Sequence, residues 1–199
     1  MLEWLRRVAQ EINRVDRRLV QRSADAPASA ADHNLKGLTR AANHSLLWFG
    51  VAVVLASRKG STRQAALRGM VAIGGASLTI NAVAKPLLPR RRPAWEDVPV
   101  ARRLNPNERP SSSSFPSGHA ASAAAFTTAV AMECPAIGLV VAPVAAAVAY
   151  SRLHTGVHYP SDVIVGLLLG SGIALATRRW WPLRTSGTAA ALQVYHQQR

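Results

Sequence analysis

The sequence predicts an all-α fold, a multi-pass transmembrane helical bundle preceded by an amphipathic helix. Three observations support this prediction. Hydrophobic residues make up 49% of the 199 residues although the formal net charge is +14, which fits either a polyanion or an anionic membrane as partner. The apolar residues gather into segments close to the roughly 17 residues that a helix needs to cross a bilayer. No stretch shows the period-2 alternation of a strand.

The first element is an amphipathic helix over residues 1–22. Its Leu, Val and Ile residues recur at helical spacing, and its six Arg residues lie mostly around the remaining circumference. We expect this helix to lie on anionic headgroups, or to pack against the protein or a second subunit and so form a homo-oligomer. Arg residues interrupt any signal-peptide core, so we expect the segment to be retained. The small, polar residues 23–34 indicate a linker.

Five apolar segments follow, and each is predicted to be a membrane-spanning helix. Their Ala and Gly content favours close helix packing in lipid. Trp48, Trp180 and Trp181 are expected to be interfacial anchors. A soluble helical bundle is the alternative, because several segments are short. The segments cover approximately residues 41–57, 66–88, 120–133, 136–150 and 163–177.

Two polar connections, residues 89–118 and 151–162, join these segments. With five alternating crossings, both connections lie on the same membrane face, so their chemistry should converge there. They and their flanks contain three clusters, which are KPLLPRRRP at 85–93, PSGH at 116–119 and SRLHTGVHYPSD at 151–162.

The composition of the three clusters suits phosphoryl transfer. That reaction spreads negative charge over the phosphoryl oxygens, so cations and N–H donors must surround them. Lys85 offers a point charge, and Arg92 and Arg152 offer forks that match two oxygens. Ser117 can cap the following helix, and Gly118 lets backbone N–H groups approach an anion.

Histidines provide the remaining chemistry. One imidazole can attack phosphorus, and a second, protonated imidazole can donate to the leaving oxygen. Asp162 lies four residues after His158, so it can accept a hydrogen bond from one ring nitrogen and leave the other free to attack. This chemistry needs no metal.

These residues closely resemble the three signature motifs of the type 2 phosphatidic acid phosphatase family, also called lipid phosphate phosphatases. The resemblance extends over roughly residues 41–178 and is strongest to bacterial membrane members. It implies an integral membrane phosphatase that is metal-independent, uses no cofactor and passes through a phosphohistidine. By position, it implies His158 as nucleophile, His119 as the acid for the leaving group, Asp162 as the partner of His158, and Lys85, Arg92, Ser117, Gly118 and Arg152 as phosphate ligands.

The resemblance also sets the expected organisation. Residues 1–40 would form the amphipathic helix and linker, 41–182 the transmembrane phosphatase domain, and 183–199 a C-terminal tail. Family members commonly have six crossings, so a sixth span is allowed. We expect a bacterial cell-membrane protein with an outward-facing site, although Lys and Arg are more frequent on the site's side, which favours the opposite orientation.

The expected substrate is a lipid phosphate: phosphatidate, phosphatidylglycerol phosphate, or a polyprenyl monophosphate or diphosphate. A phosphotransferase or a small-molecule acid phosphatase would use the same site. A vanadate-dependent haloperoxidase shares the site residues, but its chains are usually larger and soluble. A non-catalytic membrane protein that binds or scaffolds lipid phosphates is the main alternative outside catalysis. Nucleic acid is not an expected partner, because only the net charge suggests it and the five apolar segments oppose it.

Four further side chains receive structural interpretations. Cys134 is the only cysteine, which excludes an intramolecular disulfide framework. His154 is expected in a solvated loop or an interface. Arg90 and Arg91 are interpreted as extra phosphate or headgroup contacts, or as a juxtamembrane anchor.

Overall fold

The computed structural model describes residues 2–27 and 29–182, and across those residues it contains helices and no strand. The predicted all-α fold is therefore confirmed. The predicted C-terminal tail lies outside the described residues. The α-helices in chain order are α1 (Leu2–Ala24), α2 (Ala31–Ala41), α3 (Leu46–Ala56), α4 (Ser61–Leu78), α5 (Lys85–Leu87), α6 (Gly118–Glu133), α7 (Pro135–His154) and α8 (Pro160–Ala176).

Each predicted apolar segment is mostly helical, but the helices differ in length. Within the described residues, three continuous helical stretches are long and apolar enough to span a membrane: Ser61–Leu87, Pro135–His154 and Pro160–Arg179. Helix α2 and the stretch Asn43–Ala56 form a fourth candidate, bent by 63°. Helix α6 has 16 residues, about 24 Å of helix. The chain is thus an integral membrane protein, and the count of five spans stays a prediction.

Helix α6 is the centre of the bundle. Its alanines Ala120, Ala121, Ala125 and Ala129 are fully buried, because α4, α7 and α8 surround it. An Ala-rich helix has little side-chain volume, so its neighbours approach closely. This packing brings the first turns of α6 and α8 to the same end of the bundle.

Two glycines of α8 set its distance from α6. A Cβ at Gly166 would lie 2.5 Å from the backbone oxygen of Ser117, and a Cβ at Gly170 would meet the backbone oxygen of Ala121. Any side chain at these positions would push the helices apart. The close approach fixes the start of α8, which carries Asp162, beside the start of α6.

The anchor prediction for Trp48 is wrong. Trp48 is 1% exposed, and its ring centroid lies 5.3 Å from that of Phe126 in the core. Helix α3 is apolar on all sides, so the sequence does not show which face turns inward. Trp180 is 66% exposed, as an interfacial side chain would be, whereas the ring of Trp181 lies 5.1 Å from the Arg68 guanidinium.

A buried polar cluster closes the end of the bundle away from the two polar connections. Arg68 of α4 is fully buried and donates to Glu133 of α6 at 2.6 Å. It also donates to the Thr177 hydroxyl at 2.9 Å and to the Trp181 carbonyl. Because all three guanidinium nitrogens of Arg68 have acceptors, the cost of burying this cation is offset. The cluster ties α4, α6 and the end of α8 together.

The N-terminal prediction is confirmed for the helix and wrong for part of the linker. Helix α1 is amphipathic, and its apolar Val8, Ile12, Val15 and Leu19 are 37–50% exposed. Helix α2 begins at Ala31, within the predicted linker. The reason is local, since Asp32 in its first turn accepts a hydrogen bond from the Ser29 N–H at 3.1 Å.

Candidate active site

The first and third polar clusters meet at Arg92. Its Nη1 lies 3.2 Å from Nε2 of His158 and donates to the Val157 carbonyl at 2.6 Å. Its Nε and Nη2 donate to the carbonyls of Ser112 and Ser113 at 3.1 and 3.2 Å. Backbone acceptors therefore fix the guanidinium against the imidazole. This contact confirms that the two connections share one face of the bundle.

His158 and Asp162 form a buried pair at the start of α8. The two residues are 2% and 0% exposed, and Nδ1 of His158 lies 3.5 Å from Oδ2 of Asp162. That oxygen also accepts from the Tyr159 N–H at 2.9 Å. His158 precedes the helix, whose first residue is Pro160, and the contact between the Tyr159 N–H and Asp162 holds this turn beside the carboxylate. Nδ1 therefore faces the carboxylate, and Nε2 faces Arg92.

The surroundings keep the His158 ring neutral. Burial lowers its pKa to about 4, the charges of Arg152 and Arg92 act in the same direction, and Asp162 opposes them. Burial likewise lowers the pKa of Arg92 to about 10, with Arg109 adding to this effect. At neutral pH the site therefore presents an uncharged imidazole next to a charged guanidinium. A neutral imidazole has the free lone pair that a nucleophile needs.

Arg152 approaches the same site from the end of α7. It is 1% exposed, and its Nη1 donates to the Thr39 hydroxyl at 2.8 Å. That hydroxyl also lies 2.8 Å from the Ser151 hydroxyl. Arg152 Nε has no hydrogen-bond partner among the described residues. A buried N–H without a partner is costly, so the guanidinium retains a donor for an anion.

The second cluster forms the first turn of α6, as predicted. Ser117 is the N-cap, and its hydroxyl accepts from the Ala120 N–H at 3.5 Å. Its own N–H donates to the Asp162 carbonyl at 2.9 Å, which links the starts of α6 and α8. Gly118 and Lys85 line a cavity of about 170 Å³, and Lys85 Nζ donates to the Ser112 hydroxyl at 3.2 Å.

His119 lines the same cavity and is held by a residue that the sequence did not indicate. Its Nε2 lies 2.9 Å from Oδ1 of Asn43. Asn43 begins the turn between α2 and α3, where His44 and Ser45 have φ values of 52° and 62°. A turn with two residues in the left-handed region has no pattern in AANHS that would reveal it. Because an amide oxygen can only accept, Nε2 of His119 carries the proton of this hydrogen bond.

The cations form one electrostatic cluster around both histidines. Lys85, Arg92, Arg152 and His158 all lie close enough to act on the His119 ring. An open cleft of about 580 Å³ adjoins Arg92 and is lined by Arg90, Arg91 and Arg109 together with residues 110–113. The structure thus places all eight predicted site residues at the same end of the bundle. This arrangement can bind an anion and attack it with an imidazole.

Two flanking side chains make contacts that the sequence did not indicate. The Arg90 guanidinium donates to Asp16 and Asp162, which contradicts the membrane-anchor prediction, and Arg90 also lines the open cleft. Burial disfavours its charge, yet these carboxylates raise the pKa of Arg90 overall. Of the two alternatives for His154, the solvated loop is wrong, since the residue is 6% exposed and its Nε2 lies 2.7 Å from Oδ1 of Asp32, where α7 contacts α2. Both partners lie far away in sequence, which is why local patterns did not reveal them.

A helical membrane bundle with a buried histidine–aspartate pair facing several cations is typical of a membrane protein that binds and attacks phosphate groups. The PAP2 superfamily model matches residues 65–186. The decaprenylphosphoryl-5-phosphoribose phosphatase of Mycolicibacterium smegmatis is 36% identical over 136 residues, which cover 66% of this chain and 68% of the relative. The chain therefore belongs to the PAP2 superfamily, and it is a membrane lipid phosphatase.

Two solved structures share the fold. A transmembrane PAP2 type phosphatidylglycerolphosphate phosphatase from Bacillus subtilis superposes with a TM-score of 0.65 at 22% identity, covering 85% of this chain and 86% of that one. LpxE of Aquifex aeolicus gives a TM-score of 0.65 at 24% identity, covering 81% and 93%. These likenesses confirm the transmembrane helical fold that the apolar segments predicted.

Proposed function

We propose that this protein hydrolyses a lipid phosphomonoester through a phosphohistidine on His158. The observation that carries the proposal is the geometry of that ring. Nδ1 lies 3.5 Å from Asp162, and Nε2 lies 3.2 Å from the Arg92 fork. In this geometry Arg92 Nη1 donates to the Nε2 lone pair; a phosphate oxygen that takes over this N–H would place phosphorus beside Nε2, whose lone pair is then available for attack. Asp162 stabilises the positive charge that the ring acquires as it attacks.

The phosphate would be held by charges and helix-start donors rather than by a metal. Arg92 and Arg152 supply guanidinium forks, and Lys85 supplies a third charge. The N-terminus of α6 adds the backbone N–H of Gly118, where the helix dipole favours an anion; the Ser117 N–H is already bonded to the Asp162 carbonyl. These groups match the charge that develops on the equatorial oxygens in the transition state.

Each step of the reaction balances through the two histidines. In the first step, His158 Nε2 bonds to phosphorus, the P–O bond to the lipid alcohol breaks, and His119 donates a proton to the leaving oxygen. In the second step, His119 takes a proton from water, the water oxygen attacks phosphorus, and the P–N bond breaks. Phosphate leaves and both imidazoles return to their starting states.

For the substrate, we favour a polyprenyl-linked sugar phosphate over a glycerophospholipid. The relative from M. smegmatis is named for a decaprenylphosphoryl phosphoribose. The wide cleft beside Arg92 supports this choice, because Arg91, Arg109 and the serines at 111–113 offer donors for sugar hydroxyls and for a second anionic group. A compact phosphatidate headgroup would leave most of those donors unused.

Phosphate release from a substrate panel tests this proposal. Purified protein in detergent, with chelator present, would be offered a polyprenylphosphoryl pentose 5-phosphate, a polyprenyl diphosphate, phosphatidylglycerol phosphate and phosphatidate. We expect the highest kcat/KM on the first. His158→Ala should be inactive, whereas His33→Ala, which alters an exposed histidine of α2, should match the wild type.

Each contrary outcome rejects a different part of the proposal. Equal turnover by His158→Ala rejects the nucleophile. Activity that chelator removes and a divalent ion restores rejects the metal-independent mechanism. A preference for phosphatidate rejects the substrate class. Binding of every lipid without turnover indicates the non-catalytic scaffold.

A further inference from the structure

Helix α1 is attached to the active site through one buried carboxylate. Asp16 is 2% exposed, although the neighbouring positions of α1 are exposed. Its Oδ1 accepts from the Ser161 N–H at 3.0 Å, and its Oδ2 accepts from the Ser161 hydroxyl. Oδ2 also accepts from Arg90 Nη2 at 2.7 Å. An acidic residue on an amphipathic helix is usually solvated, so this burial needs an explanation.

Arg90 extends that attachment to the catalytic carboxylate. While Nη2 contacts Asp16, Nη1 donates to Oδ1 of Asp162 and to the Ser161 hydroxyl, the latter at 2.8 Å. The guanidinium also lies 4.3 Å from the centroid of the Tyr159 ring. The opposite oxygen of Asp162 is the one that faces His158. A continuous chain of contacts therefore runs from α1 to the nucleophile proposed above.

Apolar packing does not explain the position of α1. Its nonpolar residues Val8, Ile12, Val15 and Leu19 face away from the protein. Its attachments are polar, and Asn13 Oδ1 accepts from the same Arg90 Nη2 at 2.6 Å. At the other end of the helix, Arg102 donates to the Ser23 and Ala26 carbonyls. The helix thus uses its polar face to reach the site and leaves its apolar face for the membrane interface.

We propose that Asp16 is a positioning residue for the His158–Asp162 pair, acting through Arg90. Charge as well as geometry supports this role. With Asp16 present, the Arg90 charge is shared between two carboxylates, and the cluster of three keeps one net negative charge beside His158. Without it, Arg90 neutralises Asp162 alone, and the imidazolium character that develops during attack is less stabilised. The proposal rests on the function proposed above.

The test compares Asp16→Asn with Asp16→Glu and with Glu11→Gln. Glu11 is exposed on the same helix and contacts only Arg14 among the described residues, so its variant controls for loss of an acidic charge on α1. We expect Asp16→Asn to lower kcat on the order of tenfold, as outer-shell substitutions do. KM should stay within about twofold, because Asp16 contacts none of the proposed phosphate ligands. Asp16→Glu should recover part of the lost kcat, and Glu11→Gln should behave as wild type.

A second variant covers the case in which Asp16→Asn does not fold. Ser161→Ala removes the hydroxyl that joins Asp16 to Arg90 while it changes no charge, and it should lower kcat about severalfold with KM retained. Thermal unfolding in detergent reports folding for every variant. Unchanged kcat in both variants overturns the proposal, as does a loss that falls on KM or follows the folded fraction. If His158→Ala remains active, the proposed function fails regardless of Asp16; if it is inactive while Asp16→Asn is normal, only this inference fails.

Discussion

Replacement of Asp162 by Asn probes the histidine–aspartate pair with almost no change in shape. In the wild type, Oδ2 of this fully buried carboxylate accepts from the Tyr159 N–H at 2.9 Å and faces His158 Nδ1 at 3.5 Å. Oδ1 accepts from Arg90. An amide has only one acceptor oxygen, so it cannot serve Arg90 and the Tyr159–His158 side together. Whichever way it turns, an NH₂ group meets a donor.

The size of the effect depends on whether the amide NH₂ group faces Arg90 or His158. Arg90 cannot lose its proton, so the amide oxygen should face Arg90 and the NH₂ group should face His158. The ring then accepts at Nδ1 and carries its proton on Nε2, where attack must occur. A wrong tautomer in an equivalent triad lowers kcat by about 10⁴, which corresponds to about 5.5 kcal/mol of barrier. Asp16 still neutralises Arg90, so the fold should survive.

Steady-state hydrolysis of the preferred lipid measures kcat and KM for wild type and Asp162→Asn. We expect the loss to fall on kcat, because Asp162 does not touch the phosphate. Asp25→Asn, which changes an exposed acidic residue just beyond α1, is the matched control and should be unaffected. A kcat within about tenfold of the wild type would refute the proposed tautomer role.

Three further predictions address other parts of the site. Asn43→Ala removes the 2.9 Å contact to His119 and should lower kcat/KM, which reports the phosphorylation step, by about tenfold to a hundredfold, least for substrates with a good leaving group; an equal loss of kcat/KM for all leaving groups would contradict the acid role. Because burial lowers the pKa of His158 to about 4, the nucleophile stays neutral above that pH, so kcat should not fall as the pH is lowered through 6.5; a fall on that acidic side would contradict the assignment. Gly170→Val would force α8 away from the Ala121 backbone and should destabilise the protein by about 1–3 kcal/mol, seen as a lower thermal midpoint in detergent, whereas Gly172→Val, which meets no atom within 4 Å, should leave the midpoint nearly unchanged.

The sequence was sufficient for the parts of the site that are local. Asp162 lies in the first turn of the helix that begins at Pro160, and His158 lies just ahead of that turn, so the short separation in sequence favours their pairing. Ser117 caps α6 for the same reason. The convergence of the two polar connections followed from the alternation of crossings. Local sequence and topology therefore predicted which polar segments lie together, whereas the roles of their side chains come from the family resemblance and stay a prediction.

The sequence was insufficient where contacts join distant segments. Asp16 meets Ser161 across 145 residues, and Asn43 meets His119 across 76. Neither Asp16 nor Asn43 lies in a sequence pattern that distinguishes it from the solvated polar residues around it. Trp48 was assigned to the membrane interface because α3 is apolar on every face and shows no inward stripe. Tertiary packing, rather than propensity, decided these positions.

Isolation of the phosphorylated enzyme tests the central claim most directly. His119→Ala should be mixed with a ³²P-labelled phosphomonoester that has a good leaving group, quenched in alkali, and digested for peptide mapping. A good leaving group needs no acid for the first step, but hydrolysis of the intermediate needs His119 as base, so label should accumulate on His158. His158→Ala/His119→Ala should carry none. Label on another residue, or rapid turnover by His119→Ala with no labelled protein at any time, would contradict a phosphohistidine mechanism at His158.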